Sequence, residues 1–248
     1  MAWVEMMKTR KLQPATISSR VMAVSSLYKF SQEYFEQDFS NPADIRKVLP
    51  KVERYEKSRA LEPGDVRRLL AAIEIERVTG LRDYALLLGY LLLGMRNSEW
   101  RLVTVADFEL RDSGIFFQWS GKGKSGVMEI PGELWQAMQT YIQTTGGRGI
   151  LDYIFLDRSG EHPLSERRVG QMVNRYARLA GITGRLRVHD LRHTAAMLQR
   201  EAGADIEEVR DFMRHTSIAT TQIYLHRMDR RQSSRARKVV ESLGLIKS

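Results

Sequence analysis

The chain contains no cysteine, so disulfide bonds and thiolate metal sites can contribute nothing to its fold or chemistry. Its first residues, MAWVEMMKTRK, lack the apolar run of a secretory signal peptide. The longest apolar stretch covers only residues 85–95, which is too short to span a bilayer, so we expect a buried helix there. The sequence also shows no internal repeat and no low-complexity tract. We therefore expect no membrane-spanning segment, and the composition is compatible with a cytoplasmic protein.

Positive charge is in excess. The 248 residues include 39 Lys and Arg against 30 Asp and Glu, which gives a formal net charge of +9 at pH 7. Such a balance favours a polyanionic partner, with nucleic acid first and an acidic membrane surface second. The share of hydrophobic residues, 43%, is typical of a globular protein and argues against a disordered chain.

The N-terminal part of the chain is predicted to be helical. Apolar residues recur at three- and four-residue spacing over 13–37, which predicts one long amphipathic helix. Residues 46–60, RKVLPKVERYEKSRA, are basic, interrupted by proline and poor in apolar residues, as in a linker. This linker could follow a DNA backbone or simply be solvated. We divide the chain into an N-terminal helical domain (1–53), a basic linker (54–60) and a larger domain (61–248).

The larger domain changes from helical to alternating periodicity and back. Short alternating segments at 107–111, 114–120 and 126–131 predict a small antiparallel sheet. Helices are predicted on both sides of this sheet, over 61–73, 82–94, 97–103, 132–144, 165–180, 190–202, 205–213, 217–226 and 232–243. The predicted fold class is therefore mainly α with a small antiparallel β-sheet (α+β), in two domains.

Six residues are candidates for a common site: Arg96, Lys122, His189, Arg192, His215 and Tyr224. Arg96 lies at a helix junction, where Glu99 could hold its guanidinium as a bidentate pair or as a purely structural ion pair. Lys122 lies in SGKGKSG, a hairpin tip that either delivers a lysine to a substrate or is only a solvated turn. The G-K-[ST] ending of a Walker phosphate loop does not occur there in its required context.

Two later stretches carry the other candidates. In HDLRH, His189 and Arg192 are three residues apart on one face of a helix start, where amide groups and the helix dipole favour an anion. His193 is an alternative functional histidine, and the stretch could also be only a capped, solvated helix start. In MRHTSIATTQIYLH, His215 precedes a predicted helix that carries Tyr224. A tyrosine in such a position more often packs in a core than reacts.

In their order, GMRNSEW, GKGK, HDLRH and MRHTSIATTQIYLH resemble the motifs of the tyrosine recombinases, also called the phage integrase family. The family pattern is Arg, Lys, His-x-x-Arg, His or Trp, and then Tyr. The stretches LEPGDVRRLL and NPADI are similar to the join between the two domains of the family. The resemblance covers residues 13–226. It implies a two-domain DNA clamp, with a short core-binding domain ahead of the catalytic domain.

The resemblance implies DNA strand exchange through a 3′-phosphotyrosyl intermediate. Tyr224 is then the nucleophile, and the guanidinium groups of Arg96 and Arg192 stabilise charge on the phosphate, together with His215. His189 is our candidate proton acceptor and Lys122 our candidate general acid. Neither a metal ion nor ATP nor another cofactor is expected. Backbone contacts to DNA are expected from Lys47, Lys51, Arg54, Lys57 and Lys124.

The sequence departs from the family pattern at two places. Met213-Arg214-His215 replaces the usual Gly before the histidine, which we expect to change the local turn and to retain the imidazole. The N-terminal domain is short, so we expect either a truncated start or a member that clamps DNA less completely.

The resemblance also suggests how the protein assembles. We expect a homotetramer on synapsed sites, a monomer or weak dimer off DNA, and association with the nucleoid of a prokaryotic host. The basic and then amphipathic tail, 227–246, could dock on a neighbouring protomer or pack on its own. Two alternative functions are type IB topoisomerase-like relaxation of DNA and a non-catalytic DNA-binding regulator or decayed integrase.

Overall fold

A computed structural model describes residues 2–36, 40–43, 59–121 and 123–214 of the chain. The chain divides into two compact units, Met1–Lys57 and Ser58–Ser248. The described residues are mostly helical and include one small antiparallel sheet, which confirms the predicted α+β class. None of the described helices is long and apolar enough to cross a membrane.

The first unit contains two described helices, α1 (Ala2–Thr9) and α2 (Pro14–Phe35). Helix α2 begins at the proline, whose fixed φ suits a first helical turn. Helix α1 was not predicted, because its eight residues carry too short a pattern to separate a helix from a tail. Its buried residues, Val4 and Met7, belong to the same small core as Ile17 and Val21 of α2.

The second unit contains the sheet and the remaining described helices. The helices are α3 (Pro63–Ala71), α4 (Val78–Leu93), α5 (Asn97–Trp100), α6 (Gly132–Thr144), α7 (Glu166–Leu179), α8 (Val188–Glu201) and α9 (Ile206–Phe212). The strands are β1 (Phe108–Arg111), β2 (Gly114–Gly121) and β3 (Lys124–Ile130), which pair antiparallel in the order β1-β2-β3. A single 3-10 turn, Val105–Asp107, precedes β1. The predicted helices 217–226 and 232–243 lie outside the described residues.

Helix α4 forms the centre of the second unit. Nearly all of its residues from Ala85 to Leu93 are buried, and it packs against α6 and α8. At Gly89 the backbone of α4 touches the indole of Trp100, and a Cβ on Gly89 would lie only 2.1 Å from that ring. The indole Nε1 donates to the Leu86 carbonyl at 3.0 Å. These contacts fix α5, which carries Trp100, against α4.

Helix α5 begins at Asn97, where the predicted helix 97–103 also begins, and Arg96 is its N-cap. The Glu99 carboxylate reaches back to the Arg96 N–H, while the Asn97 side chain accepts a hydrogen bond from the Tyr90 hydroxyl at 2.6 Å. The junction between α4 and α5 is therefore fixed by side chains on both sides.

Candidate active site

The junction of α4 and α5 positions Arg96. Gly94 ends α4 with a positive φ of 56°, a conformation that glycine adopts at little cost. Two residues later, the Arg96 N–H donates to Glu99 Oε2 at 3.0 Å and Arg96 Nη1 donates to Glu99 Oε1 at 2.6 Å. One carboxylate thus holds both the backbone and the guanidinium of Arg96.

Glu99 is enclosed by the protein, with its side chain only 4% exposed. Burial raises the pKa of the Glu99 carboxyl, but the hydrogen bonds from Arg96 outweigh this effect, and the pKa lies below its ordinary value. Gly121, at the end of β2, borders the carboxylate so closely that a Cβ there would lie 2.5 Å from Glu99 Oε1. A larger residue at the point where the hairpin meets Glu99 would therefore displace the carboxylate.

The start of α8 is organised by Asp190. Its carboxylate accepts hydrogen bonds from the Arg187 N–H at 2.9 Å and from Arg187 Nη2 at 2.7 Å. This arrangement caps the helix and directs one face of its first turns, with His189 and Arg192, toward the end of α4. The predicted helix start at 190 is two residues too late, so His189 lies within the helix rather than before it.

Arg192 is 2% exposed and joins two helix ends. Its Nη1 donates to the Gly94 carbonyl and its Nη2 donates to the Met213 carbonyl. The guanidinium therefore ties the end of α4 to the residue that follows α9. Arg96 lies two residues beyond Gly94, so both predicted phosphate-binding arginines are attached to the same junction.

The two histidines of HDLRH differ in exposure. His189 reaches the surface, whereas His193 is 7% exposed, and their rings meet edge to face with centroids 4.7 Å apart. Partial burial and then the positive charge of Arg192 lower the pKa of His189, and Arg96 contributes in the same direction. Burial lowers the pKa of His193 to about 3. Both imidazoles are therefore predominantly neutral at pH 7.

Arg214 was not among the predicted site residues. It follows α9 with a positive φ of 53°, and its side chain is 6% exposed. Its Nη2 lies 3.8 Å from Glu99 Oε2 and donates to the Gly94 carbonyl at 3.3 Å. Its guanidinium carbon lies 5.0 Å from the centre of the Trp119 ring. The only sequence signal for Arg214 was that an arginine occupies the position where the family pattern usually has a glycine.

The described residues thus bring together Arg96, Glu99, His189 and Arg192, and they add Arg214. Lys124 is exposed at the start of β3, opposite Gly121. The other predicted site residues lie outside the described residues: Lys47, Lys51, Arg54, Lys57, Lys122, His215 and Tyr224.

Comparison with known proteins gives a family match. The model of the phage integrase family matches residues 59–231. The tyrosine recombinase XerC of Roseiflexus sp. (strain RS-1) is 31% identical over 230 residues, which are 89% of this chain and 71% of that protein. The tyrosine recombinase XerD of Staphylococcus saprophyticus is 29% identical over 219 residues, which are 86% of this chain and 72% of that protein.

Solved structures share the fold. The XerH site-specific recombinase, in a post-cleavage complex with its palindromic difH substrate, has a TM-score of 0.75 at 20% identity. That match covers 94% of this chain and 69% of the XerH chain. The Tn1549 transposon integrase, in complex with transposon right-end DNA, has a TM-score of 0.70 at 19% identity, over 98% of this chain and 84% of that one.

Proposed function

Because the chain belongs to the phage integrase family, the tyrosine recombinases that break and rejoin DNA, we propose that it is a site-specific recombinase acting on double-stranded DNA. The observation that carries this proposal is the convergence of Arg96 and Arg192. They are far apart in the sequence, yet both are attached to the junction at Gly94, and both lower the pKa of His189.

The proposed role of this junction is to bind the scissile phosphate. A phosphodiester resists attack because it is anionic, and its transition state gathers further charge on the non-bridging oxygens. Fixed donors aimed at those oxygens lower the barrier, each by roughly 3–4 kcal/mol in comparable oxyanion sites. Arginine suits this role because its planar guanidinium can donate to two oxygens at once.

In the proposed cleavage step, the Tyr224 hydroxyl oxygen attacks phosphorus and the bond from phosphorus to the 5′ oxygen breaks. The phenolic proton passes to His189, whose lowered pKa keeps its imidazole neutral and able to accept. Lys122 gives a proton to the departing 5′ oxygen, which leaves as a hydroxyl group. His215 donates a further hydrogen bond to the phosphate.

The products of this step are a 3′-phosphotyrosyl bond and a free 5′ hydroxyl. Attack by a 5′ hydroxyl of the partner strand reverses the chemistry and releases Tyr224. Each transfer exchanges one phosphodiester for another, so the reaction needs no ATP. The proposed steps also require no metal ion, since side chains supply every charge and proton.

Several proposed features concern how DNA is held. The proposed organisation is a two-domain DNA clamp, with a core-binding domain over 1–53, a basic linker over 54–60 and a catalytic domain over 61–248. Lys47, Lys51, Arg54, Lys57 and Lys124 contact DNA phosphates. Four protomers assemble on two synapsed sites, whereas the free protein is a monomer or weak dimer. The protein is associated with the nucleoid of a prokaryotic host.

The proposal is tested by capturing DNA on the protein. The purified chain is mixed with fragmented genomic DNA from its host and denatured in detergent, and DNA that remains attached is recovered and sequenced. We expect one recurrent sequence, attached through its 3′ end, with a free 5′ hydroxyl on the other side of the break. Attachment through 5′ ends, or no attached DNA, would contradict the proposal.

A supercoiled plasmid that lacks the captured sequence separates recombination from general relaxation. A site-specific recombinase leaves this plasmid supercoiled, whereas a type IB topoisomerase-like enzyme relaxes it. A non-catalytic regulator would bind the captured sequence reversibly and form no detergent-stable adduct.

A further inference from the structure

Arg214 is held in an unfavourable position. A non-glycine residue with φ of 53° is disfavoured by contacts of its Cβ. Among the residues that the structure describes, its buried Nε and Nη1 have no hydrogen-bond acceptor. Burial also opposes its charge, because desolvation lowers the pKa of Arg214 to about 10. These unfavourable terms argue against a purely stabilising role for the Arg214 side chain.

The contacts of Arg214 lead to both predicted phosphate-binding arginines. Through the Glu99 carboxylate, 3.8 Å away, it shares a partner with Arg96. Through the Gly94 carbonyl, it shares an acceptor with Arg192. The ring of Trp119 on β2 covers the guanidinium and restricts its orientation. Arg214 thus contacts both the Glu99 carboxylate and the Gly94 carbonyl.

The contacts of Arg214 favour a role within the protein over direct contact with DNA. Arg214 and Arg192 are both buried, so exposure alone does not separate their roles. What distinguishes Arg214 is its position beside the Glu99 carboxylate, which also holds Arg96. Arg96 is more open than Arg214, with 26% of its side chain exposed against 6%. The geometry therefore favours an effect of Arg214 on Arg96 through Glu99.

We propose that Arg214 is a positioning residue, whose guanidinium fixes Arg96 relative to Arg192 by linking Glu99 to the Gly94 carbonyl. The inference rests on the proposed function, because it matters only if the two arginines bind one phosphate. Without Arg214, Glu99 keeps its contacts to Arg96 but is no longer linked to the α4 terminus. The Arg96 guanidinium then moves relative to the phosphate, and a displacement of about 1 Å can reduce a rate about 100-fold.

The test uses the full chain and a duplex of the captured sequence, nicked a few nucleotides 3′ of the break so that the released strand diffuses away. Single-turnover adduct formation is measured at saturating DNA for the parent, Arg214→Gly, Glu99→Gln and the double variant. Glycine suits the left-handed backbone at this position. We expect Arg214→Gly to lower the rate constant about 10- to 100-fold with unchanged DNA affinity. In the Glu99→Gln background the same change should have less than about a threefold effect, since Arg214 acts through Glu99.

Two further variants complete the design. Glu36→Gly also replaces a left-handed residue, exposed at the end of α2, and should leave the rate unchanged. Arg214→Lys keeps the charge but removes the planar guanidinium, and its rate should lie between those of the parent and Arg214→Gly. The active fraction of each protein is taken from the adduct amplitude, so that misfolded protein does not count as a lower rate.

The inference is overturned if Arg214→Gly forms adduct at the parent rate. It is also overturned if Arg214→Gly lowers the rate constant by the same factor in the Glu99→Gln background as in the parent. It is also overturned if the defect appears only as weaker DNA binding. A parent protein that forms no adduct on this duplex overturns the proposed function, and this inference with it.

Discussion

At the level of single residues, the site combines an excess of positive charge with very few acidic groups. Three guanidinium groups, those of Arg96, Arg192 and Arg214, lie at the junction of α4 and α5 together with the carboxylate of Glu99. The second carboxylate nearby, Asp190, is already paired with Arg187. The cluster therefore carries a net positive charge, which supports the proposal that it binds an anionic phosphate.

His193 makes the stability of the second unit depend on pH. Its pKa is about 3 in the folded protein and about 6.5 in the unfolded chain, so between these values only the unfolded chain binds the proton. The contribution of His193 to the free energy of unfolding is fully present above pH 6.5 and decreases as the pH falls below that value. From about pH 7 to about pH 5 the decrease reaches up to about 2 kcal/mol of unfolding free energy.

Denaturant unfolding of the parent and of His193→Asn at both pH values measures this contribution. The difference in unfolding free energy between the parent and the variant should be smaller at about pH 5 than at about pH 7, by up to about 2 kcal/mol. An equal difference in unfolding free energy at both pH values would show that the pKa of His193 is the same in the folded and unfolded states. The comparison cancels the other titrating groups, including His189, because both proteins carry them.

The sequence predicted some residues of the site better than others. The spacing in HDLRH indicated that His189 and Arg192 share a helix face, and the Arg96–Glu99 spacing indicated their contact. Arg214 had no comparable signal, because its burial depends on where β2 and Glu99 lie in the folded chain. The choice of His189 over His193 rests on the family pattern His-x-x-Arg. The structure adds that His189 reaches the surface, whereas His193 is buried.

At the level of helices and strands, periodicity predicted whether a segment is a helix or a strand better than it predicted the residues at which the segment begins and ends. The long helix α2 and the three strands were predicted within a few residues. Helix α4 begins at Val78, four residues before its prediction, because Val78 and Thr79 carry no pattern of their own. Strand β3 begins at Lys124 rather than at the predicted residue 126. Lys124 belongs to the strand because it pairs with Gly121 of β2, and such a cross-strand contact has no signal in the local sequence pattern.

The contact between α4 and α5 yields a prediction for stability. In Gly89→Ala, the new methyl group meets the Trp100 indole, so Trp100 must move and its bond to the Leu86 carbonyl weakens. We expect the unfolding free energy to fall by about 2–3 kcal/mol, since overpacking a core typically costs about 1–3 kcal/mol. Adduct formation should also slow, because α5 carries Glu99.

Gly170→Ala is the matched control for this prediction. Gly170 lies in α7 with no neighbouring atom within 4 Å of an added Cβ. Alanine there should leave stability unchanged or raise it by up to about 1 kcal/mol through its better helix propensity. If the two variants unfold at the same denaturant concentration, the close contact between α4 and Trp100 does not contribute as described.

At the level of the whole molecule, the basic composition predicted a polyanionic partner but not its geometry. Net charge is a sum over the chain and carries no information on where the charge lies. The convergence of residues 94–99, 189–192 and 214 needed the folded chain, because their separations in sequence exceed any local pattern. The resemblance to the tyrosine recombinases implied that these residues lie close together, but only as an expectation.

The proposed backbone contacts predict how DNA binding depends on salt. Removing one phosphate-binding side chain should lower the slope of log affinity against log salt by about 0.9 for duplex DNA. Replacing the four basic residues of the connecting stretch by glutamine should therefore lower the slope by about 3 to 4. These residues are Lys47, Lys51, Arg54 and Lys57.

Fluorescence anisotropy with a labelled duplex at several salt concentrations gives the slope. Arg111→Gln is the control, because this exposed guanidinium is paired with Glu109 and should contribute little. A slope that the four substitutions leave unchanged would show that the stretch 46–57 does not lie along the DNA backbone.

The proposed chemistry requires that Tyr224 becomes covalently joined to DNA, and identifying the modified residue tests this directly. The detergent-stable adduct is digested with nuclease and protease, and the peptide that retains a nucleotide is sequenced by mass spectrometry. We expect a nucleotide phosphate on the hydroxyl oxygen of Tyr224, and no adduct from Tyr224→Phe, which should still bind the duplex. A nucleotide on any other residue, or an adduct from Tyr224→Phe, would contradict the proposed chemistry.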